Sequence, residues 1–162
     1  MPNVNRGEAL QLRANKITAD VRAFFTTYCT SFSRLDAPAI AKHFAELVHI
    51  ASDTGKDVRV HVATAAEWRR TIDHLLEMYR AIDFGGAEAL ALATDALSPR
   101  LVQVRIRWAL RNRAGVQLYE FDAMYTLARH DEIFRITAIA HNEMGYYRRC
   151  LAALTAEKGA AR

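Results

Sequence analysis

A histidine, an aspartate and an arginine on three consecutive predicted strands form the first candidate for a reactive site. Pairing the strands by their hydrophobic patterns places Arg105, Asp122 and His141, here called the charged row, side by side on one face. His141 can then act as an acid or a base, Asp122 can orient its ring, and Arg105 can bind an acidic substrate. The alternative is a solvated face with cross-strand ion pairs, each contributing about 0.2–1 kcal/mol.

The opposite face of these strands is aromatic and aliphatic. A two-residue turn at 113–114 places Ile106 opposite Phe121, and a second turn at 131–132 places Asn142 opposite the same Phe121. Burying an apolar face is favourable at ~25 cal/mol per Å², whereas burying poorly paired ions is costly. We therefore expect the aromatic face to point into the protein and the charged face to lie at solvent or at a wet dimer interface.

A second set of candidates is suited to binding a small molecule. Its members are aromatic or polar and fall on faces expected to be buried: Tyr28, Trp68, Trp108, Tyr119, Tyr125 and Asn142. Tyr28 lies on the apolar stripe of the first predicted helix, and its hydroxyl can donate a hydrogen bond to a negatively charged substrate oxygen. The alternative is an ordinary aromatic core in which each tyrosine finds a partner. The two interpretations overlap, because ligand pockets consist mostly of apolar walls with a few polar groups.

The histidines and cysteines do not form a metal-binding pattern. No pair among the four histidines between positions 43 and 74 has the His-x-x-x-His spacing on one helix. Cys29 and Cys150 are far apart and have no paired spacing. The sequence therefore predicts no metal and no cofactor.

The composition is typical of a single globular domain. The chain has 162 residues, of which 51% are hydrophobic and 25% charged, enough to bury one core. We expect one domain over residues 1–162, with frayed ends at 1–5 and 157–162. The sequence contains no apolar run of transmembrane length and no signal segment. Its net charge of +4 is scattered along the chain, so we expect a cytoplasmic protein that binds neither nucleic acid nor membranes.

Four helices are predicted to position these residues. Apolar residues at steps of three and four predict a first helix from near Arg6 to Ser33. Asp36 predicts the start of a short second helix, because aspartate is a favourable N-cap. Thr64 is followed three residues later by a glutamate, the spacing of a capping box at the start of a third helix. A final amphipathic helix begins near Met144.

The remaining segments are predicted to be strands. Residues 47–52 and 58–62 form a hairpin, and the alternation of valines with Arg59 and His61 predicts that its second strand is half-buried, with the valines on the buried face. Residues 87–97 are assigned to a strand against their helix propensity, because the neighbouring strands need a partner there. With the three strands of residues 101–143, the sequence predicts an α+β fold.

Several local patterns, together with this order of elements, resemble the nuclear transport factor two-like superfamily over roughly residues 17–143. The patterns are Phe24 to Tyr28, Leu35-Asp36 with Ile40 and Phe44, and the run from Arg129 to Ile136. That superfamily includes ketosteroid isomerase, the SnoaL-like polyketide cyclases, scytalone dehydratase and limonene epoxide hydrolase. The resemblance implies a cone, a cystatin-like α+β barrel in which N-terminal helices cover a strongly curved mixed or antiparallel sheet. It also implies an apolar pocket at the wide end and a homodimer formed through the sheet.

The resemblance implies roles for particular residues as well. The ketosteroid isomerase pattern places one oxyanion-binding donor on Tyr28 and the second on Tyr125 or Thr126. Its general-base aspartate falls near Ser52, and a serine cannot serve as that base. The limonene epoxide hydrolase pattern, an arginine and two aspartates, is matched only loosely by the charged row, which has a histidine in place of one carboxylate.

Two functions follow from the sequence. The first is a SnoaL-like cone protein that binds a small apolar or aromatic molecule and catalyses proton transfer such as isomerisation, cyclisation or dehydration. Its catalytic candidates are Tyr28 and Tyr125, with the charged row as the alternative. The second is a non-catalytic dimeric interaction module or accessory subunit, favoured by the missing base at Ser52 and by an additional C-terminal helix able to dock on a partner. The sequence does not decide between an enzyme and an accessory subunit.

Overall fold

The computed structural model describes residues 6–160. In chain order it contains helix α1 (Arg6–Ser33), helix α2 (Ala37–Ala41), strand β1 (Phe44–Asp53), strand β2 (Val58–Thr64), helix α3 (Ala65–Ala81), strand β3 (Phe84–Ser98), strand β4 (Leu101–Asn112), strand β5 (Gln117–His130), strand β6 (Ile133–His141) and helix α4 (Glu143–Ala160). The predicted α+β class is confirmed, and the segment 87–97 is a strand as expected.

All six strands form one curved sheet in the order β2-β1-β6-β5-β4-β3. Neighbouring strands are antiparallel except for β1 and β6, which run parallel. Helix α1 contacts β3, α3 contacts β1 and β2, and α4 contacts β5 and β1. The helices therefore cover one face of the sheet and leave the other, here called the outer face, uncovered by helices.

The aromatic and aliphatic face of the central strands forms the core. Val102, Val104 and Ile106 of β4 have no exposed surface, and Trp108 is 2% exposed. The ring of Phe25 on α1 packs edge-on against Trp108, with 6.1 Å between the ring centroids. The expectation that this face points into the protein is confirmed.

The pairing of β4 with β5 differs from the predicted register by two residues. The turn spans three residues, with Gly115 in the left-handed region at φ 81°, and Leu118 is then left unpaired as a bulge. Ile106 consequently lies opposite Ala123 instead of Phe121. Because the side chains of a strand alternate with a period of two, this shift leaves the inner and outer faces as predicted.

The pairing of β5 with β6 begins as predicted and then shifts by one residue. The turn lies at 131–132, but Thr137 is left unpaired, so that His141 lies opposite Ala123. A shift of one residue moves every later side chain of a strand to the other face. The prediction that His141 lies on the charged outer face is therefore wrong: His141 and Ile139 face inward and contribute to the inner wall.

The edge strand β2 has the opposite orientation to the predicted one. Val58, Val60 and Val62 are 66%, 59% and 54% exposed on the outer face. The polar residues between them, Arg59 and His61, face the inner side of the sheet. The prediction of inward valines is wrong, because β2 lies at the rim of the sheet where the inner side is open to solvent.

The C-terminal helix packs on the core through one stripe. Tyr147 is buried, and Met144, Leu151 and Leu154 are partly buried against the core, as the amphipathic pattern predicts. Residues 157–160 continue α4 where fraying was expected, and the other positions expected to fray, 1–5 and 161–162, lie outside the described residues. None of the helices within residues 6–160 has the length and apolar character of a membrane span.

Candidate functional site

A cavity of about 380 Å³ lies between the helices and the inner face of the sheet. Its walls are mostly apolar and include Phe32 of α1, Leu75 of α3 and Phe121 of β5. The exposed lining residues, among them Arg59 on β2 and His74 on α3, mark its opening at the rim of the sheet. Polar groups are few inside the cavity, so each one matters for what it can bind.

Two tyrosine hydroxyls lie together on one wall. Tyr28 comes from α1 and Tyr125 from β5, and the indole Nε1 of Trp108 donates a hydrogen bond of 2.9 Å to the Tyr125 hydroxyl. Burial raises the pKa of both tyrosines, so both hydroxyls keep their protons at neutral pH. Since the Tyr125 oxygen already accepts from Trp108, its own proton remains available to a bound molecule.

A buried carboxyl group lies on the cavity wall. Glu143, the first residue of α4, is only 6% exposed, and its Oε1 accepts hydrogen bonds from the hydroxyls of Tyr79 (2.7 Å) and Tyr119 (2.9 Å). No residue within 6–160 donates a hydrogen bond to its Oε2. Burial raises the pKa of Glu143, and the two tyrosine hydrogen bonds oppose the increase. A carboxylate with a raised pKa is a stronger base than an ordinary one.

His141 is fixed in one tautomer by a backbone hydrogen bond. The backbone N–H of Glu143 lies 3.3 Å from Nδ1 of His141, and an N–H can only donate, so Nδ1 accepts. Burial lowers the pKa of His141, which leaves the ring neutral at pH 7 with its proton on Nε2. In this tautomer His141 donates through Nε2–H, and the group left to act as a base is Glu143.

Two further donors on the wall have no partner in the described part of the chain. They are the hydroxyl of Ser52 and the indole N–H of Trp68, both buried. An unsatisfied buried donor costs about 1–3 kcal/mol, so such groups are unusual in a core that only stabilises the fold. Ser52 lies directly opposite His141 on the parallel strands β1 and β6. Ser52 and His141 are therefore neighbours on the cavity wall, and Glu143 follows His141 by two residues.

The structure places four of the six predicted ligand-binding residues on the cavity wall: Tyr28, Trp68, Trp108 and Tyr125. Their contact with a ligand stays a prediction. Tyr119 is buried outside the set of lining residues and holds Glu143. Asn142 is not on the cavity wall either, because the bulge in β6 sets it against Asp122, whose backbone N–H donates to Asn142 Oδ1 at 2.9 Å.

The charged row does not assemble as an acid–base relay. Asp122 and Arg105 lie on the outer face, where Arg107 bonds Asp122 at 3.1 Å and the Asp122 side chain is 48% exposed. His141 borders the same shallow outer depression as Asp122 and Arg105 but bonds Glu143 through Nδ1, not the Asp122 carboxylate. Two register differences are the reason. The β4–β5 shift places Arg107 instead of Arg105 opposite Asp122, and the bulge at Thr137 turns His141 away from its predicted neighbours.

Sequence reasoning did not identify Glu143 as a site residue. It assigns Glu143 to the end of the last strand on the charged face, whereas the strand ends at His141 and Glu143 begins α4. The available signal was an acidic residue at the junction between a strand and an amphipathic helix, where a first-turn carboxylate is favoured by the helix dipole. Ser52 was singled out by the resemblance, but only as a position where the expected base is missing.

The chemistry that these groups can supply is hydrogen-bond donation to an oxygen and transfer of a proton. Among residues 6–160, no three His, Cys, Asp or Glu side chains come together as a set of metal ligands. A carboxylate oxygen such as Oε2 of Glu143 can accept a proton, and hydroxyls such as those of Tyr28 and Tyr125 can donate hydrogen bonds to a negatively charged oxygen.

A curved six-stranded sheet covered by helices around an apolar cavity defines a cone-shaped α+β protein of the NTF2-like class. The chain belongs to the family described as NTF2-like protein (DUF6841), whose model matches residues 19–144. The resemblance to the nuclear transport factor two-like superfamily is thereby confirmed. A comparison with curated proteins gives no match.

Solved structures share the fold at low sequence identity. An NTF2-like protein with a cystatin-like fold from Novosphingobium aromaticivorans is 15% identical, with a TM-score of 0.63 and coverage of 85% of this chain and 89% of that one. A protein of unknown function from Mycobacterium tuberculosis is 14% identical, with a TM-score of 0.62 and coverage of 84% and 92%. A proposed scytalone dehydratase from Novosphingobium aromaticivorans is 11% identical, with a TM-score of 0.61 and coverage of 81% and 86%. These similarities establish the fold.

Proposed function

We propose that the protein binds a small, predominantly apolar carbonyl compound in the cavity and catalyses proton transfer at the carbon next to the carbonyl group. The observation that carries the proposal is the buried Glu143 carboxyl with an unbonded Oε2, in the same apolar cavity as two tyrosine hydroxyls. The volume of about 380 Å³ is within the usual range for small-molecule sites.

In the proposed reaction Glu143 Oε2 accepts the proton from the carbon beside the carbonyl. The electrons of the C–H bond form a carbon–carbon double bond, and the carbonyl π electrons move to the oxygen. Tyr28 and Tyr125 donate hydrogen bonds to that negatively charged oxygen, and the Trp108 N–H strengthens Tyr125 as a donor.

The group to which Glu143 then gives the proton determines the class of product. Its return to a different carbon of the conjugated system gives isomerisation. If the substrate carries a hydroxyl one carbon further away, loss of that hydroxyl as water gives dehydration. The naming of one structural neighbour as a proposed scytalone dehydratase agrees with the second outcome.

Exchange of substrate protons for deuterium tests this proposal without knowledge of the natural substrate. We expect the wild-type protein to accelerate exchange of the protons beside the carbonyl of 2-tetralone, an apolar aromatic ketone, as followed by ¹H NMR in D₂O. Tyr28→Phe removes one donor and is expected to slow exchange about 100-fold. Tyr146→Phe, at a partly exposed tyrosine outside the cavity, is the matched control and is expected to leave exchange unchanged.

The proposal fails if 2-tetralone and related cyclic ketones bind in the cavity but exchange no faster than in buffer. That outcome would favour the non-catalytic accessory subunit. It also fails if Tyr28→Phe and Tyr146→Phe have equal effects, because the donors of the cavity would then play no part.

We also propose that the protein forms a homodimer through the outer face of the sheet. The supporting observation is a row of exposed apolar side chains there, Val58, Val60 and Val62 of β2 with Leu47 of β1, each more than half exposed. A twofold axis would bring the same row from two copies together, which removes apolar surface from water on both.

A further inference from the structure

Three hydrogen-bond donors lie in a row across the sheet at the opening of the cavity. Ser52 on β1 pairs with Arg59 on β2 and, on its other side, with His141 on β6. Side chains of directly opposite residues project from the same face of the sheet, and across an antiparallel pair such as Ser52 and Arg59 their Cβ atoms are about 4.5–5.5 Å apart. All three residues line the cavity, so they form a continuous polar strip, here called the rim row, from the exposed edge strand to the interior.

Every member of the rim row carries a hydrogen-bond donor. The guanidinium of Arg59 has only donors, and the buried hydroxyl of Ser52 has no partner within residues 6–160. His141 has its acceptor nitrogen occupied by the Glu143 N–H and offers Nε2–H. The complementary ligand group is one with acceptors only, a negative charge and more than one oxygen, which describes a carboxylate.

We propose that the substrate of this cavity carries a carboxylate, which binds the rim row formed by Arg59, Ser52 and His141 while its apolar body extends toward Tyr28 and Tyr125. This inference rests on the proposed function and adds the class of substrate to it: an apolar or aromatic keto acid. Glu143 remains free for the proton, since its Oε1 is held by Tyr79 and Tyr119.

Arg59 supplies a positive charge at the rim of the cavity. Arg59 lies 3.6 Å from Asp57, and both side chains are more than half exposed, so this ion pair is weak and can be exchanged for a ligand. His61 on β2 and His74 on α3 also line the opening.

A pair of naphthalene compounds separates carboxylate binding from binding of the apolar body. 2-Naphthoate has a carboxylate where 2-acetonaphthone has a neutral methyl ketone of similar shape. At pH 7.5 and low salt, equilibrium dialysis is expected to show that the wild-type protein binds 2-naphthoate at least tenfold more tightly than 2-acetonaphthone, because hydrogen bonds to a charged group are the stronger ones.

Two variants assign that preference to the rim row. Ser52→Ala removes a buried donor to the carboxylate and is expected to weaken 2-naphthoate binding about tenfold. Arg59→Ala removes an exposed charge and is expected to weaken it about fivefold, less at high salt. Neither change is expected to alter 2-acetonaphthone binding more than about twofold, since the neutral compound has no carboxylate for Ser52 and Arg59 to bind.

Arg113→Ala is the matched control. Arg113 is 68% exposed and lies 3.3 Å from Asp83, an environment close to that of the 70% exposed Arg59 beside Asp57, but it is in the turn after β4. It is expected to leave the binding of both compounds unchanged, although it removes the same net charge.

The inference is overturned if 2-naphthoate binds no more tightly than 2-acetonaphthone, or if Arg59→Ala and Arg113→Ala weaken it equally. In both cases binding of 2-acetonaphthone would leave the proposed function standing. Failure of both compounds to bind would instead contradict the proposed function itself.

Discussion

Glu143 lies at the junction of β6 and α4, where two tyrosines hold one of its oxygens and the other has no donor among residues 6–160. A fold that only needed a packed core would gain from an apolar side chain here, because a buried carboxyl loses hydration. Its retention beside a cavity is typical of a functional group whose pKa is adjusted by its surroundings.

The pH dependence of the exchange reaction is expected to report the pKa of Glu143. Exchange should decrease as the pH falls through a pKa above the ordinary value near 4.5, because only the carboxylate accepts a proton. Tyr79→Phe removes a hydrogen bond that favours the carboxylate, so the acid limb of the profile should move to higher pH. NMR exchange rates between pH 4 and 9 measure this shift.

Tyr147→Phe is the control for that profile. Its hydroxyl donates to the carbonyl oxygen of Met78 and not to Glu143. An equal shift in both variants would show that loss of any nearby hydroxyl moves the limb, which would contradict the positioning role of Tyr79.

Glu143→Gln is expected to increase stability at alkaline pH. A raised folded-state pKa means that the native protein binds a proton more tightly than the unfolded chain does. The wild-type protein therefore loses stability as the pH rises from the ordinary pKa through the raised one. Glutamine carries no charge and keeps an acceptor for Tyr79 and Tyr119, so it avoids this loss.

Thermal unfolding at pH 4 and pH 8 measures the difference. The melting temperature of the variant should exceed that of the wild type more at pH 8 than at pH 4. The extra difference is about 2–4 °C for each kcal/mol of folding free energy that the wild type loses at pH 8 and the variant keeps. Parallel pH dependences in the two proteins would contradict a raised pKa for Glu143.

At the scale of the elements, the starts of α2 and α3 were predicted correctly, because a helix cap depends on residues that are close together in the chain. Asp36 accepts a hydrogen bond from the Ala39 N–H, and Thr64 forms the predicted capping box with Glu67. The β4–β5 register was wrong because the turn spans three residues, with Gly115 at positive φ, and because Leu118 is unpaired; the β5–β6 register was wrong because Thr137 is unpaired. Leu118 and Thr137 are the two bulged residues. Neither is a glycine or another residue that indicates a bulge, so no local pattern revealed them.

The bulge at Thr137 explains why the site was only partly predictable. Tyr28, Trp108 and Tyr125 could be placed because their faces do not depend on this bulge. His141 could not, because a single unpaired residue earlier in β6 turns it inward. The role of Glu143 depends on contacts with Tyr79 and Tyr119, which are 64 and 24 residues away in the chain.

Thr64→Ala is expected to destabilise the protein by about 1 kcal/mol, because the side chain of Thr64 accepts the Glu67 N–H at the start of α3. Urea unfolding measures the change. Thr26→Ala is the control, since the Thr26 hydroxyl bonds only the carbonyl of Arg22 within α1 and caps no helix end. Equal destabilisation by the two substitutions would contradict the capping contribution.

For the whole molecule, the exposed valines of β2 provide the test of the proposed homodimer. Val60→Glu places a charge on the outer face and is expected to shift the protein to a monomer in analytical ultracentrifugation. Val116→Glu is the matched control, because Val116 is 61% exposed against 59% for Val60 but lies in the turn between β4 and β5. A wild-type monomer, or dissociation by both variants, would contradict the proposed interface.

The central claim is that Glu143 transfers a proton to and from a carbonyl compound held in the cavity. The most direct measurement is deuterium exchange of 2-tetralone by the Glu143→Gln protein at pH 8, with the dissociation constant determined on the same sample. We predict that exchange slows about 10²–10⁴-fold while the dissociation constant changes little, because the variant keeps the cavity and loses only the base. Exchange at the wild-type rate by a folded Glu143→Gln protein would contradict the claim.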